Sequence, residues 1–395
     1  MTRTLVVTND FPPRPGGIQA FVHQLALRQP AGSVVVYAST YDGAAAFDAA
    51  QPFDVVRYPT GLLLPTPDVL RRARAIARAE GCETVWFGAA APLGLLARGL
   101  RAAGARRLVA STHGHETGWA MLPGARQLLR RIARDVDVVT YLGEYTRTLL
   151  ARGLGQRDPG QQEQGRRAAL ERVPPGVDTG TFHPGLAGTD GAAVRRRLGL
   201  ADRPTVVCVS RLVPRKGQDV LVRALPAIRA RVPDAALLVV GGGPDLPRLR
   251  RLAAGLEVAD HVVFTGAVPW EELPAHYAAG QVFAMPCRTR RAGLDVEGLG
   301  IVYLEASAVG LPVVAGGSGG APDAVLPGQT GYVVNGRAVG EVAARVGDLL
   351  ANPDRAAAMG RRGRAWVEAE WRWDVQAARL RRALSGEGGP AGCPP

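Results

Sequence analysis

The chain has 395 residues, 47% of them hydrophobic, with a mean hydropathy near zero and a formal charge of +13. That length exceeds what one hydrophobic core usually sustains, so two globular domains are expected. No apolar run approaches the ~20 residues of a membrane-spanning helix, and Cys82, Cys208, Cys287 and Cys393 form neither a CxxC pair nor a zinc spacing with histidine, which suits a reducing cytosol without structural metal.

The charge is evenly spread. Residues 1–180 carry 22 Arg against 15 acids, and residues 181–395 carry 26 Arg or Lys against 20, so neither half is a basic tail. Solvated arginine-rich faces account for this, and so does an anionic partner such as a nucleotide, a nucleic acid or an acidic lipid. The basic residues are 47 Arg and a single Lys, Lys216.

The opening "MTRTLVVTND" has too short an apolar run for a signal peptide and reads as a first strand. In "PRPGGIQAF", which follows, Gly16 and Gly17 would let the backbone approach a phosphate where a helix begins. The apolar strands "SVVVYAS", "TVWFGAA", "RLVAST" and "VDVVTYL" then alternate with helical or loop segments, the βα pattern of a doubly wound parallel sheet. The Pro- and Gly-rich "ERVPPGVDTGTFHPG" reads as a linker. A second series begins with "TVVCVS" and continues through "ALLVVGGGP", "HVVFTGAV", "QVFAMPC" and "PVVAGGSGG". The expected fold class is α/β: two Rossmann-like domains, 1–178 and 179–371, with strand ends aimed at a shared cleft.

In "VVCVSRLVPRKGQDVLVRAL", residues 205–210 read as a buried strand and the pattern from Val220 as a helix, so Arg211 to Gly217 form the loop between them. Ligands of open α/β sheets bind at the carboxyl ends of strands, where Arg211 and Lys216 would together clamp a diphosphate. Glycine clusters at 241–245 and 316–320 stand at the ends of two further strands. In "DVEGLGIVYLEAS", residues 295–307, Gly298 and Gly300 suit a helix interior poorly. The helix is therefore expected to begin near Gly300, with Glu297 in the preceding loop and Glu305 further along. Free amides between two carboxylates suit a ligand that carries both phosphate and hydroxyls.

"PGGIQ", "HGHE" at 113–116, "SRLVPRKG", "GGGPDLPRL", "FTGAV", and the pairings R-x4-K and E-x7-E follow one another along almost the whole chain. This series resembles a retaining GT-B glycosyltransferase of family 4. "NDFPPRPGGIQ", "STHGHETGWAMLPG" and "CRTRRAGLDVEGLGIVYLEAS" are similar to the actinobacterial phosphatidylinositol mannosyltransferases that use GDP-mannose, in particular the one adding the second mannose. Arg291 and Ala292 replace smaller, glycine-rich sequence in that family, and 155–170 reads as an insertion.

The resemblance implies roles. Arg211 and Lys216 would neutralise the departing diphosphate, Glu297 would accept from the hydroxyls of the donor sugar, and Glu305 would hold the ribose. Amides of Leu299, Gly300 and Ile301 would meet phosphate and sugar, His113 would lie over the sugar, and Gly16 and Gly17 would face the diphosphate. The base would contact the loop around Thr265, Gly266 and Val268, with Asp245 nearby. In this family the acceptor hydroxyl attacks on the face the nucleotide leaves, and the departing phosphate takes its proton. No DxD motif stands at a strand end, so neither a catalytic metal nor any cofactor beyond the GDP-mannose donor is expected. A final helix within "AEWRWDVQAARLRRAL" would return residues 372–395 to the first domain, with Trp371 and Trp373 as core anchors and a disordered tail.

A lipid acceptor implies a peripheral enzyme at the cytoplasmic face of an anionic membrane. The docking candidate is 57–78, where Leu62, Leu63 and Leu64 lie in a loop before a helix carrying Arg71, Arg72, Arg74 and Arg78. A second basic helix offers Arg126, Arg130, Arg131 and Arg134, with Leu128, Leu129 and Ile132 turned inward. The alternative is a family-4 enzyme with another nucleotide sugar and a soluble or oligosaccharide acceptor. A sugar-nucleotide epimerase would lack the R-x4-K and E-x7-E pairings. A nucleic-acid binder would show a reading module, and an oxidoreductase a GxGxxG fingerprint.

Overall fold

Apolar runs of four to six residues form the strands, and most are buried on both faces because helices cover both sides of a parallel sheet. The structure, a computed structural model, describes residues 3–114, 123–154 and 168–386. The expectations placed on His115, Glu116, Cys393, most of the 155–170 stretch and the tail beyond Gly386 lie outside these residues. The chain divides into two compact units, Met1–Gly176 with Trp373–Pro395, and Val177–Arg372.

Among the described residues the first unit has seven parallel strands: β1 (Arg3–Thr8), β2 (Val34–Ser39), β3 (Asp54–Tyr58), β4 (Cys82–Phe87), β5 (Arg107–Ser111), β6 (Val138–Tyr141) and β7 (Ala169–Arg172). Their order is β3-β2-β1-β4-β5-β6-β7. The second unit has six: β8 (Thr205–Val209), β9 (Ala236–Val240), β10 (Val262–Gly266), β11 (Val282–Met285), β12 (Val313–Gly316) and β13 (Gly331–Val334), in the order β10-β9-β8-β11-β12-β13. Both sheets therefore run outward in each direction from a central pair, β1/β4 and β8/β11. At such a reversal successive crossovers leave on opposite faces and open a crevice at the carboxyl ends of the strands.

The apolar-run pattern missed β3, β7 and β13, and all three are edge strands. β3 and β7 have no fully buried residue, and β13 is a short Gly-Tyr-Val-Val segment, so none carries a long buried run. The linker expected from Glu171 starts later, because Glu171 and Arg172 pair with Thr140 and Tyr141 of β6. Thr265 and Gly266 likewise complete β10 rather than forming a loop, since Gly266 still pairs with Val240.

The last helix, Trp373–Ser385, places Ala377, Leu380, Ala383 and Leu384 in the first unit's core beside Phe21, Trp86 and Val109. Arg107 of β5 fastens it by donating to the Ala383 carbonyl at 2.9 Å. Just before it, Trp371 is wholly buried in the second unit's core and meets Trp366 edge-on at 5.4 Å. The Trp371 carbonyl accepts from Val177 N–H at 2.7 Å, so the outgoing and returning segments are tied together. No described helix is long and apolar enough to cross a membrane. Replacing Trp371 with Ala should cost about 3–5 kcal/mol, because a large side chain leaves a cavity that the packed surroundings fill only in part. Urea unfolding followed by circular dichroism checks this, and an unchanged midpoint contradicts it.

Candidate functional site

The loop that leaves β8 turns through a short 3₁₀ segment, Pro214–Lys216, and enters the helix Gln218–Arg231. Its only lysine is buried. Lys216 Nζ lies 2.6 Å from Glu297 Oε2, an ion pair that joins the β8 loop to the loop after β11. Arg215 sits beside it, with Nε 4.0 Å from the same carboxylate oxygen and a terminal nitrogen 3.5 Å from Asp295. Arg215 Nε is itself buried without a hydrogen-bond acceptor. Arg211 differs from both, being exposed, with a guanidinium that makes no hydrogen bond or ion pair among the described residues. One cation of the sequence pair is thus fixed in the protein, and the other is available to solvent or ligand.

Glu297 is held from behind. Gly319 adopts φ +56°, and a Cβ there would lie 2.0 Å from the Glu297 carbonyl, so only glycine permits this approach. The adjacent Gly320 N–H donates to that carbonyl at 2.9 Å. The 316–320 glycine cluster thus braces the Glu297 loop. The helix after it, Ile301–Ala308, starts where the sequence predicts, with Gly300 in the left-handed region at φ +78° as N-cap. Leu299, Gly300 and Ile301 have no acceptor for their amides among the described residues, which leaves a row of N–H donors next to the Lys216–Glu297 pair. Tyr303 anchors the helix by donating to the Met285 carbonyl of β11 at 2.8 Å.

Glu305, on the same helix, is half-buried and accepts from Tyr277 Oη at 2.6 Å. Burial pushes its carboxyl above the ordinary carboxylate range, and the tyrosine bond pulls it partly back. The two glutamates of the E-x7-E pair are therefore differently committed, one to an ammonium and one to a phenol.

Asp245 is buried, and both its oxygens accept from Arg248 at 2.7 Å, so its carboxylate is already engaged. Thr265 Oγ1 donates to the Gly266 carbonyl at 2.8 Å, and Val268 lies half-buried just beyond β10. In the first unit, Gly16 and Gly17 are exposed at the start of the helix Gly17–Leu27, which has no side-chain cap. His113 follows β5, with Nε2 2.6 Å from the Gly88 carbonyl and its ring edge-on to Phe21 at 5.0 Å. The loop of three leucines needs correction: Leu62 and Leu64 are exposed, whereas Leu63 is wholly buried in the first unit's core. Asn9 holds it there, accepting from Leu63 N–H at 2.6 Å and donating to its carbonyl at 2.9 Å.

Residues 192–366 match the family described as Glycosyl transferases group 1, and residues 15–181 match Glycosyltransferase Family 4. The chain is 57% identical over 389 residues, 97% of its length and 98% of the relative's, to the GDP-mannose-dependent alpha-(1-6)-phosphatidylinositol monomannoside mannosyltransferase of Mycolicibacterium smegmatis. The chain belongs to the family-4 glycosyltransferases. A Corynebacterium glutamicum relative, named a GDP-mannose-dependent monoacylated alpha-(1-6)-phosphatidylinositol monomannoside mannosyltransferase, is 47% identical over 98% of both chains. In fold, this glycosyltransferase is similar to Anabaena HepE crystallised with UDP, at TM-score 0.77 and 18% identity over 98% of this chain and 100% of that one. Two doubly wound parallel sheets with a returning C-terminal helix are the GT-B fold.

Within this glycosyltransferase, the sequence motifs did not mark Arg215, Asp295 or Tyr277. The first two lay inside the quoted stretches and only needed pairing. Tyr277 is 28 residues from Glu305, and nothing in the local pattern signals their contact. Among the described residues no three His, Cys, Asp or Glu side chains gather to hold a metal ion. The raised Glu305 carboxyl gives a pH test. The native state binds this proton above the pH at which the unfolded chain releases it. Stability therefore falls as pH rises from the ordinary carboxylate range to the raised value, and levels off beyond it. Glu305→Gln should abolish that part of the slope, measured as the difference between parent and variant denaturation curves over pH. Parallel curves would show that Glu305 is not perturbed.

Proposed function

We propose that this chain is a retaining mannosyltransferase that moves mannose from GDP-mannose to a phosphatidylinositol monomannoside, adding the second mannose. The near full-length likeness to the mycobacterial and corynebacterial enzymes carries this reading. In it, Arg211 and Lys216 offset the charge that develops on the diphosphate as the bond from the sugar C1 breaks, and the Leu299 to Ile301 amides add neutral donors. Glu297, braced by the glycine cluster, orients the sugar hydroxyls, and Glu305 with Tyr277 receives the ribose. Thr265, Gly266 and Val268 face the base, while Gly16, Gly17 and His113 serve the same donor. The acceptor hydroxyl forms the new bond to C1 on the face the nucleotide leaves, and its proton passes to the departing phosphate oxygen. Positioning and charge stabilisation supply the rate, without a protein nucleophile or a metal.

Arg211→Ala is the cleaner test of the clamp, because its guanidinium makes no structural bond to lose. It should lower turnover of GDP-mannose by about 10²-fold or more with unchanged thermal stability. Lys216→Ala should lose activity and also about 3–5 kcal/mol of stability, since it strands the buried Glu297 carboxylate. Near-parental turnover in both variants would remove the clamp from the mechanism. Calorimetry should find GDP binding tighter than UDP, and the reverse order would change the donor.

For the lipid acceptor, the docking surface is peripheral, at the inner face of the membrane. Exposed Leu62 and Leu64 stand beside Arg71 and Arg72 on the helix Pro67–Ala79. Both arginines also pair with Asp68, and Arg72 lies over the Tyr58 ring. Near an anionic surface each basic residue contributes about 1 kcal/mol, and salt weakens it. A variant with Leu62 and Leu64 changed to Ser and Arg71 and Arg72 to Glu should sediment poorly with phosphatidylinositol vesicles, while leaving the buried Leu63 in place. Parental sedimentation by that variant would move the docking surface elsewhere. A parent that ignores vesicles would favour a soluble acceptor.

A further inference from the structure

A cavity of about 520 Å³ opens in the second unit, lined by Arg223, Arg248, Arg288, Arg290 and Arg337, with Asp219 as the single acid of its lining. Lys216, Glu297 and Glu305 do not line it. Five guanidinium groups around one space repel one another unless anions offset them. The protein offsets only part of this charge. Arg288 lies 2.9 Å from Asp219, and Arg248 is held bidentately by Asp245. Arg290 has a 3.8 Å contact with Asp295, which it shares with Arg215. Arg337 donates to the neutral Thr289 carbonyl at 2.7 Å. Arg223 is exposed and makes no hydrogen bond or ion pair among the described residues.

Two helix starts add to the field. Asp219 and Val220 belong to the first turn of Gln218–Arg231, and Val339 opens the helix Val339–Ala351. Val220 N–H donates to the Gly217 carbonyl at 3.0 Å, but the amides of Asp219 and Val339 have no acceptor among the described residues, and these amides and the positive dipole ends favour an anion. The lining has no aromatic side chain on which a base could stack, which disfavours a second nucleotide or a nucleic-acid strand. Guanidinium forks match pairs of phosphate oxygens, and the volume suits a small ligand.

We propose that this arginine pocket is a second phosphate-binding site, separate from the donor site, which takes the phosphate of a small phosphoester or of a lipid headgroup. It has a route to the donor loop. An anion that draws Arg290 away leaves Asp295 to Arg215, the neighbour of the Lys216–Glu297 pair.

The test uses the full chain with saturating GDP, whose own affinity is measured first and reports the donor site independently. Inorganic pyrophosphate is then titrated by calorimetry, and phosphatidylcholine vesicles with and without phosphatidylinositol are offered in a second arm. The parent should bind pyrophosphate, more weakly as salt rises, and Arg223→Glu with Arg337→Glu should weaken it at least tenfold while GDP affinity stays parental. Should the double reversal not fold, Arg223→Ala, at an exposed position, should still weaken binding about threefold. Binding of phosphatidylinositol vesicles alone, reduced by the same variants, would assign the phosphate to a lipid. The proposal is overturned if the GDP-saturated parent binds neither probe, or if the variants bind as the parent does.

Discussion

The buried pair of Lys216 and Glu297 is the contact on which the rest of the second unit's strand-end region depends. It joins loops from β8 and β11, the two strands at which the sheet order reverses. Taking both charges out of water is unfavourable unless geometry and surrounding hydrogen bonds compensate. The compensation is visible around Glu297: a 2.6 Å ammonium contact, Arg215 beside it, and a backbone that Gly319 and Gly320 clamp from the β12 side. A buried ion pair contributes little net stability, so its value here is positional. It sets one carboxylate and one ammonium next to the unpaired amides of Leu299, Gly300 and Ile301.

Glycine has two uses around this region. At 16, 17 and 300 it stands at helix starts that have no side-chain cap. At 319 and 320 it lets one loop lie directly on another. Both uses produce clusters at strand ends, because that is where loops converge in an open α/β sheet. A helix-starting glycine and a bracing glycine are therefore indistinguishable in the sequence; a Cβ at 319 or 320 would strike a backbone carbonyl of the neighbouring loop, whereas one at 16 or 300 would strike a side chain of its own helix.

Arginine shows a similar division. Arg248 and Arg288 are consumed by Asp245 and Asp219, whereas Arg211 and Arg223 keep their donors. The even charge along the chain therefore conceals an uneven distribution in space. Arginine also does structural duty, as in Arg107 on the Ala383 carbonyl and Arg364 on the carbonyls of Phe182 and Ala308. Much of the +13 formal charge consequently says little about partners.

The sequence by itself determined the two-sheet α/β class, the central strands, the helix start at Gly300 and the loop position of Lys216. Each of these is written in a local signal: a continuous buried run, a left-handed glycine, or the gap between a strand and a helix. Edge strands β3, β7 and β13 escaped because partial exposure shortens or breaks such a run. Side-chain partnerships escaped for a different reason. Lys216 meets Glu297 across 81 positions, and Tyr277 meets Glu305 across 28, distances over which no periodicity carries information. Leu63 separated from Leu62 and Leu64 only when Asn9, 54 residues earlier, fixed its backbone over the core. Tertiary structure alone decided which charges are spent within the protein and which stay unpaired among the described residues, because desolvation and pairing depend on neighbours that the chain brings together only on folding.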